Sequence, residues 1–371
     1  MAAPGALPQP GSAPAAQPCT DEQTAALRPT DGNVAPAVQP ATARARLYRA
    51  ALLACGAALL AFLVIRIGPA TVVESFRVLS WRLVLLIVFP CIVLKTFDAL
   101  AWGFAFHERP VPFRSLLASV LAGQAVSSTT PAGMLGGNAV MAWMLRDRVT
   151  LRQSLASLII VQTTSTASQG LFLLLGILIA RWWFSSSLPL VRVMEWLLLL
   201  EAIGVIGFVT LQMRGMMAGG HGLLARLGFT GSARSREAAR DVDENLIEFY
   251  RRQPRRLALS LTCNFLGWIT RAGETWLILF LLGAAVSVTT AIVIEAFATG
   301  ISFATFFLPI DIGVEEGVAV ATFLALGMTG ATGLSFSLVR RVRELVWIAV
   351  GLLLLAAKRR GSPVVPVARE T

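Results

Sequence analysis

Lysine is nearly missing from this chain of 371 residues, where Lys95 and Lys358 stand against thirty arginines. Charge of any sign is scarce too, at 14%, whereas soluble domains carry about 25%. With no Lys-rich tail and no basic stripe interleaved with aromatics, the formal charge of +11 is not the footprint of a nucleic-acid groove binder. Histidine is limited to His107 and His221, and Cys19, Cys55, Cys91 and Cys263 lie far apart with no Cys-x-x-Cys pair. Neither a metal site nor a disulfide framework is therefore expected. There is also no Ser-His-Asp set, and the glycines of 133–137 have neither phosphate-loop spacing nor its lysine. No catalytic residue, no cofactor and no ATP-driven step is expected, so the chain does not read as an enzyme.

What is abundant is apolar: 56% hydrophobic residues and a mean hydropathy of +0.70, spread over many runs. This predicts an all-α, polytopic integral membrane helical bundle. Runs at 50–68, 83–106, 155–180, 189–212, 257–282, 286–308 and 333–357 are long enough to cross roughly 30 Å of hydrocarbon as helices. Two shorter apolar segments fall at 115–145 and 313–331. The first lies between Arg109/Arg114 and Arg146/Arg148/Arg152, so it should begin and end on the cytoplasmic side, as a re-entrant hairpin or two short spans. The expectation is about 8 spans plus one re-entrant or broken-helix element.

Residues 1–43 are Pro- and Ala-rich and read as a disordered cytoplasmic tail. They lack the early positive charge of a signal peptide, and no secretory cleavage is expected. Arg44, Arg46 and Arg49 before the first run, and Lys358, Arg359 and Arg360 after the last, predict cytoplasmic N- and C-termini, with a second tail at 358–371. The membrane domain between them, 44–357, is interrupted by a basic loop at 213–256 that should be cytoplasmic. Its 235–250 part is expected to form a surface helix, with the Arg251–Arg256 cluster facing anionic headgroups.

Two interruptions of the apolar pattern carry the functional expectation. The first, Ser127 to Asn138, reads SSTTPAGMLGGN. Pro131 lacks an N–H, Gly133, Gly136 and Gly137 permit close approach or positive dihedrals, and a helix starting at Asn138 would aim free N–H groups at an anion such as a lipid phosphate. The plainer reading is tight helix packing through small residues. The second interruption places Pro309, Asp311, Gly313, Glu315, Glu316 and Gly317 between two apolar runs, implying a discontinuous helix of the kind secondary transporters expose near a binding site. Charges inside the spans sharpen this: Arg271 and Glu274 in 257–282, Glu295 in 286–308, and Arg340, Arg341, Arg343 and Glu344 early in the last run. Intrahelical pairing at i,i+3 and i,i+4 is one account. The other, which is preferred, is a polar interior path in which arginines hold a phosphate while Glu295 or Glu316 balances them or carries protons, with Arg343 and Glu316 foremost. Lys95 and Asp98, also i,i+3, read as local features near a cytoplasmic end where Lys95 snorkels. Glu195 and Glu201 face either an interface or the bundle. Trp182, Trp183, Trp196 and Trp347 read as interfacial anchors.

Over about residues 50–357 these features resemble the flippase-like membrane domain of the lysylphosphatidylglycerol synthase transmembrane family, and more narrowly its hopanoid-biosynthesis-associated bacterial branch. PAGMLGGNAVMAWMLR is similar to the family's glycine-rich motif at Gly133, Gly136 and Gly137, but has Asn138 where the family has an acid and Met141 where it has a base. Pro309, Gly313, Glu316 and Gly317 resemble the later Pro…Gly-x-x-Glu-Gly motif, and Arg340–Arg343 stand where an arginine is expected in the last segment. The resemblance implies a bacterial inner-membrane protein that moves a polar or hopanoid-related lipid, without the soluble aminoacyl-transferase domain of fused members. It implies membrane lipids as partners, hopanoids or anionic phospholipids among them, and neighbouring lipid-biosynthesis enzymes. The competing expectation is a non-catalytic membrane scaffold that docks lipid-modifying enzymes through the 213–256 loop.

Overall fold

The computed structural model describes residues 82–107, 111–130, 133–183, 189–213, 233–304 and 314–361, and every regular element among them is an α-helix. The chain divides into a unit Met1–Arg46 and a unit Leu47–Thr371. The first unit, the expected span at 50–68 and residues 362–371 of the tail expected at 358–371 lie outside the described residues, while 358–361 belong to the last helix.

In chain order the helices are α1 (Arg82–Phe104), α2 (Phe113–Thr129), α3 (Gly133–Met144), α4 (Leu151–Trp183), α5 (Pro189–Met213), α6 (Ala233–Arg252), α7 (Pro254–Leu281), α8 (Val288–Ala304), α9 (Val314–Ala325) and α10 (Gly330–Gly361). All but α6, which lies in the basic 213–256 loop, fall where the described apolar runs lie. Two of them, α4 and the stretch Leu190–Met213 of α5, are long and apolar enough to cross a membrane by length and composition. Much of α5 is exposed at large apolar side chains, Ile203, Ile206 and Leu200 among them, which suits a helix with lipid on one side. Trp182, Trp183 and Trp196 are exposed around the α4–α5 connection, as an interfacial belt requires. There Arg181 pairs with Glu195 at 2.6 Å, which puts Glu195 at an interface.

The segment expected at 115–145 is the pair α2 and α3. A helix of the length of α3, 12 residues, reaches only about 18 Å, short of roughly 30 Å of hydrocarbon. The two pack against each other at glycines: a Cβ on Gly137 would sit 2.6 Å from the Gly123 carbonyl oxygen, and one on Gly123 would sit 2.9 Å from that of Gly137. Gly351 does the same for α10, where a Cβ would run into the Leu121 carbonyl and come within 2.6 Å of Ala125 Cβ. Small residues thus let three backbones meet, which is how helices associate when lipid supplies no hydrophobic drive. The helix begins at Gly133, at φ +50, with its N–H bonded to the Thr130 carbonyl. This corrects the expected start at Asn138, which lies inside α3 and has no N-terminal N–H to offer. The segment expected at 313–331 contains α9, also 12 residues and about 18 Å long, which ends before Gly327 at φ +76.

α7 is the central helix, packed on α1, α4 and α8. Its contacts with α1 and α4 run through hydroxyls and amides. Ser260 donates to the Ala101 carbonyl at 3.0 Å, Thr164 and Ser260 share a bond of 2.9 Å, and Asn264 donates to Thr164 at 3.2 Å. The Trp102 indole donates to Ser157 at 3.1 Å. The amphipathic α6 buries Val242, Leu246 and Phe249 in a core with Trp102, Phe106 and Leu145, and is tied to the start of α4 by Arg152 and Asp241. The expected helix is present, and Arg256 donates to the carbonyls of Phe106 and His107, closing the end of α1 as a cation does at a helix C-terminus.

Candidate functional site

The charges expected inside the spans converge between α1, α2, α7 and α10. A cavity of about 150 Å³ there is lined by Cys91, Leu94 and Lys95 of α1, Leu121, Gln124, Ala125 and Ser128 of α2, Arg271 of α7, and Arg340, Arg341, Arg343, Glu344, Trp347 and Ile348 of α10. It has room for a few waters or one phosphate-sized group, so the tails of any lipid must stay outside. Arg271 stands about 25 Å along α7 from Pro254 and about 15 Å from its other end, well inside the helix.

Local sequence explains why these side chains meet. On α2, Leu121, Gln124, Ala125 and Ser128 are spaced at i,i+3,i+4,i+7 and so share one helical face. The same holds for Arg340, Arg343, Glu344 and Trp347 on α10. On α1, Pro90 lies within the helix and has no N–H, which leaves the carbonyl of residue 86 without its helical partner, about two and a half turns before Lys95.

The pairing is between helices, which overturns the intrahelical account of Arg271/Glu274 and Arg340/Glu344. Arg340 holds Glu295 of α8 with both terminal nitrogens, at 3.1 and 3.2 Å, and Thr275 donates to the same carboxylate at 2.8 Å. Arg343 reaches the Glu274 carboxylate of α7. Glu274 and Glu295 are only 4% and 2% exposed. Two carboxylates this deep persist only because a guanidinium meets each of them, since a lone charge at membrane depth is costly. Arg341 pairs within α10 to Glu344 at 3.0 Å, and Ser128 donates to Glu344 at 3.3 Å. Lys95 pairs with Asp98 at 2.7 Å.

Arg271 differs from the rest. Its guanidinium lies 5.0 Å from the Trp268 ring centre, and among the described residues no carboxylate pairs with it. The wall therefore carries, beside Cys91, Gln124 and Ser128, one guanidinium that feels Glu295 through space but has no carboxylate bonded to it among the described residues. That is what an anion requires: a desolvated cation with neutral donors around it.

Of the residues singled out by sequence, Arg271, Arg340 and Arg343 line the cavity, and Glu274 and Glu295 stand behind it as their counter-charges. Gly136, Gly137 and Asn138 do not line it; Gly137 serves the α2–α3 contact, the plainer of the two readings. Gly133 turns the chain into α3. Gly317 lies in α9, away from the cavity wall. Pro131, Pro309, Asp311 and Gly313 lie outside the described residues, as does the side chain of Glu316. Lys95 was misread: α1 runs to Phe104, so Lys95 is mid-helix and 5% exposed, not snorkelling at an end. Trp347 is likewise a cavity wall and not an interfacial anchor. The i,i+4 pair Gln124/Ser128 in an apolar run was the signal that would have found the α2 side.

Fold and site together define a helical membrane protein with a charged site in its interior. Residues 47–351 match the lysylphosphatidylglycerol synthase TM region, and the chain belongs to that family. Its role is accordingly membrane-bound and lipid-related. No curated protein and no solved structure matches the chain.

Proposed function

We propose that this protein moves a lipid with an anionic headgroup across the bilayer, with the α1–α2–α7–α10 cavity as the transient site of the head. The observation that carries this reading is Arg271, a cation left unpaired among the described residues inside a cavity whose other cations are matched. The head docks on Arg271 with Gln124 as a neutral donor, joined by Ser128 once its hydroxyl leaves Glu344, the tails remain in lipid, and the cavity opens alternately to the two faces. The cationic wall favours a phosphate-bearing lipid; a hopanoid with a neutral polyol head leaves that charge unused, so a hopanoid-related cargo fits here through an acidic intermediate.

The architecture that goes with this reading has about eight crossings, with α2–α3 as a re-entrant hairpin, in a bacterial inner membrane with both tails, 1–43 and 358–371, in the cytoplasm. The protein acts by translocation, without catalysis. The scaffold alternative would use the 213–256 loop, but the apolar face of α6 is already buried against this chain, leaving only its charged face to a partner.

The test is lipid movement in vesicles reconstituted with wild type, Arg271→Gln, Arg343→Ala and Glu316→Gln, using fluorescent phosphatidylglycerol and phosphatidylcholine. Wild type is expected to move the anionic lipid faster, and Arg271→Gln to lose that preference. Equal movement in all proteins and in empty vesicles sinks the proposal. Loss of enzyme complexes on deleting the loop, with lipid movement unchanged, establishes the scaffold instead.

A further inference from the structure

A second acid lies inside the membrane domain, apart from the cavity. Glu201 occurs midway along α5, is 1% exposed, and has no hydrogen-bond partner for either carboxylate oxygen among the described residues. Its carboxyl carbon sits against Gly170 of α4, where a Cβ would lie 3.6 Å away. One turn further, Gly204 lies against Phe303 of α8, a Cβ there being 3.1 Å from the ring. The helices on either side are bound to each other by neutral groups, Gln169 donating to the Thr299 carbonyl at 2.9 Å.

Among the described residues, the surrounding charges do not reach it. α4 has no titratable side chain between Arg152 and Arg181, and Arg181 is engaged with Glu195 at the exposed end of α5. On α8 the sole titratable residue is Glu295, which is held by Arg340. α6 meets α5 at Gln212, where Tyr250 donates to it, about 16 Å along the helix from Glu201. An ionised carboxylate without donor or cation is costly in such a place, while a neutral carboxylic acid is tolerated. Glu295 cannot take and give up a proton without breaking its arginine pair; Glu201 has no such tie.

The geometry points to Glu201 as a proton-binding site that couples the α4–α5–α8 packing to pH. A proton from water adds to a carboxylate oxygen and closes the packing; its return to water leaves a carboxylate that must be hydrated, which opens it. The coupling to lipid movement rests on the function proposed above, but proton binding does not.

Infrared difference spectra of the full chain in nanodiscs, titrated with pH, decide the matter. A carboxylic-acid carbonyl band that disappears reversibly as pH rises in wild type, is absent in Glu201→Gln and titrates at a shifted pH in Glu201→Asp supports the site. The same band in Glu201→Gln, or no titrating band in wild type, overturns it. In vesicles, lipid movement is expected to depend on pH in wild type and to lose that dependence in Glu201→Gln. PH dependence retained in Glu201→Gln overturns the coupling. Absence of lipid movement in wild type removes the transport reading while the infrared result still stands or falls by itself.

Discussion

Two parts of the same helical domain treat buried polarity in opposite ways. Around the cavity, Arg340 and Arg343 are matched across helices by Glu295 and Glu274, Lys95 and Arg341 are matched along their own helices by Asp98 and Glu344, and Arg271 has no carboxylate bonded to it among the described residues. Around Glu201, α4, α5 and α8 are joined by apolar packing and neutral hydrogen bonds, with a bare acid between them. Both helices apolar enough to be recognised as spans, α4 and α5, belong to the second part. The helices that build the first, α7 and α10, owe their lower apolarity to the very charges that make the site. A weaker span signal here goes with interior charge, which has to be matched by other interior charge.

The contrast is broken most directly by removing one acid from each part. Glu295→Ala removes the buried carboxylate that Arg340 and Thr275 both hold, and the loss of a buried partner is expected to cost about 3–5 kcal/mol. Glu201→Leu removes an acid that has no hydrogen-bond partner among the described residues, and is expected to change stability by less than about 1.5 kcal/mol, as volume-conserving swaps do. Thermal unfolding in detergent measures both, and equal losses would erase the distinction between the two regions.

Next in size is the backbone contact that holds the hairpin to α10. Gly351→Ala places a Cβ against the Leu121 carbonyl and is expected to cost about 1–3 kcal/mol through overpacking. The same change at Gly273 of α7, where a Cβ meets nothing within 4 Å, is expected to be neutral or slightly stabilising in the same unfolding assay.

A smaller effect lies where α6 joins the second region. Tyr250 donates to Gln212 at 2.8 Å, and Gln212 donates to Thr163 at 3.0 Å. Tyr250→Phe is expected to cost about 0.5–1.5 kcal/mol. Burial pushes the Tyr250 phenol above its ordinary value, against a weaker opposing pull from the Thr163 hydroxyl. The neutral phenol is thus the folded form, and its contribution is fully present below the ordinary tyrosine range and lost as pH rises through the raised value. An alkaline unfolding titration should show this loss in wild type and not in Tyr250→Phe.

The smallest effect belongs to the surface pair that joins the end of α10 to the connection before α4. Lys358 donates to Asp147 at 2.5 Å, and that hydrogen bond holds the Asp147 carboxyl below the usual range. The stabilisation is present above the ordinary aspartate value and lost as pH falls through the lowered one. Since the pair is solvent-exposed, Asp147→Asn is expected to cost at most about 1 kcal/mol, and less at high salt.

Much of the helix order was legible in the sequence because apolar runs bounded by arginines have one reading in a bilayer. The interior charges were legible for the same reason: Arg271, Glu274, Glu295, Arg340 and Arg343 stand out against apolar surroundings. Their partners were not, because local spacing offers Arg271 to Glu274 at i,i+3, while the fold brings Arg343 to Glu274 from another helix. The burial of Lys95 was not legible although the expected run, 83–106, nearly matches α1, because burial depends on the helices packed around it; the role of the glycine motif was not either, because close packing and ligand approach require the same residue. Glu201 left no signal beyond its presence in an apolar run; its isolation depends on what α4 and α8 place around it.

The central claim, an anionic lipid head held in the α1–α2–α7–α10 cavity, is tested most directly by photo-crosslinking. A phosphatidylglycerol analogue with a photoreactive headgroup, incorporated in nanodiscs with the full chain, is expected to label Gln124, Ser128 or Trp347, to do so much less in Arg271→Gln, and to be competed by anionic but not zwitterionic lipid. Labelling confined to the lipid-exposed side of α5, or cavity labelling unchanged in Arg271→Gln, would contradict the account.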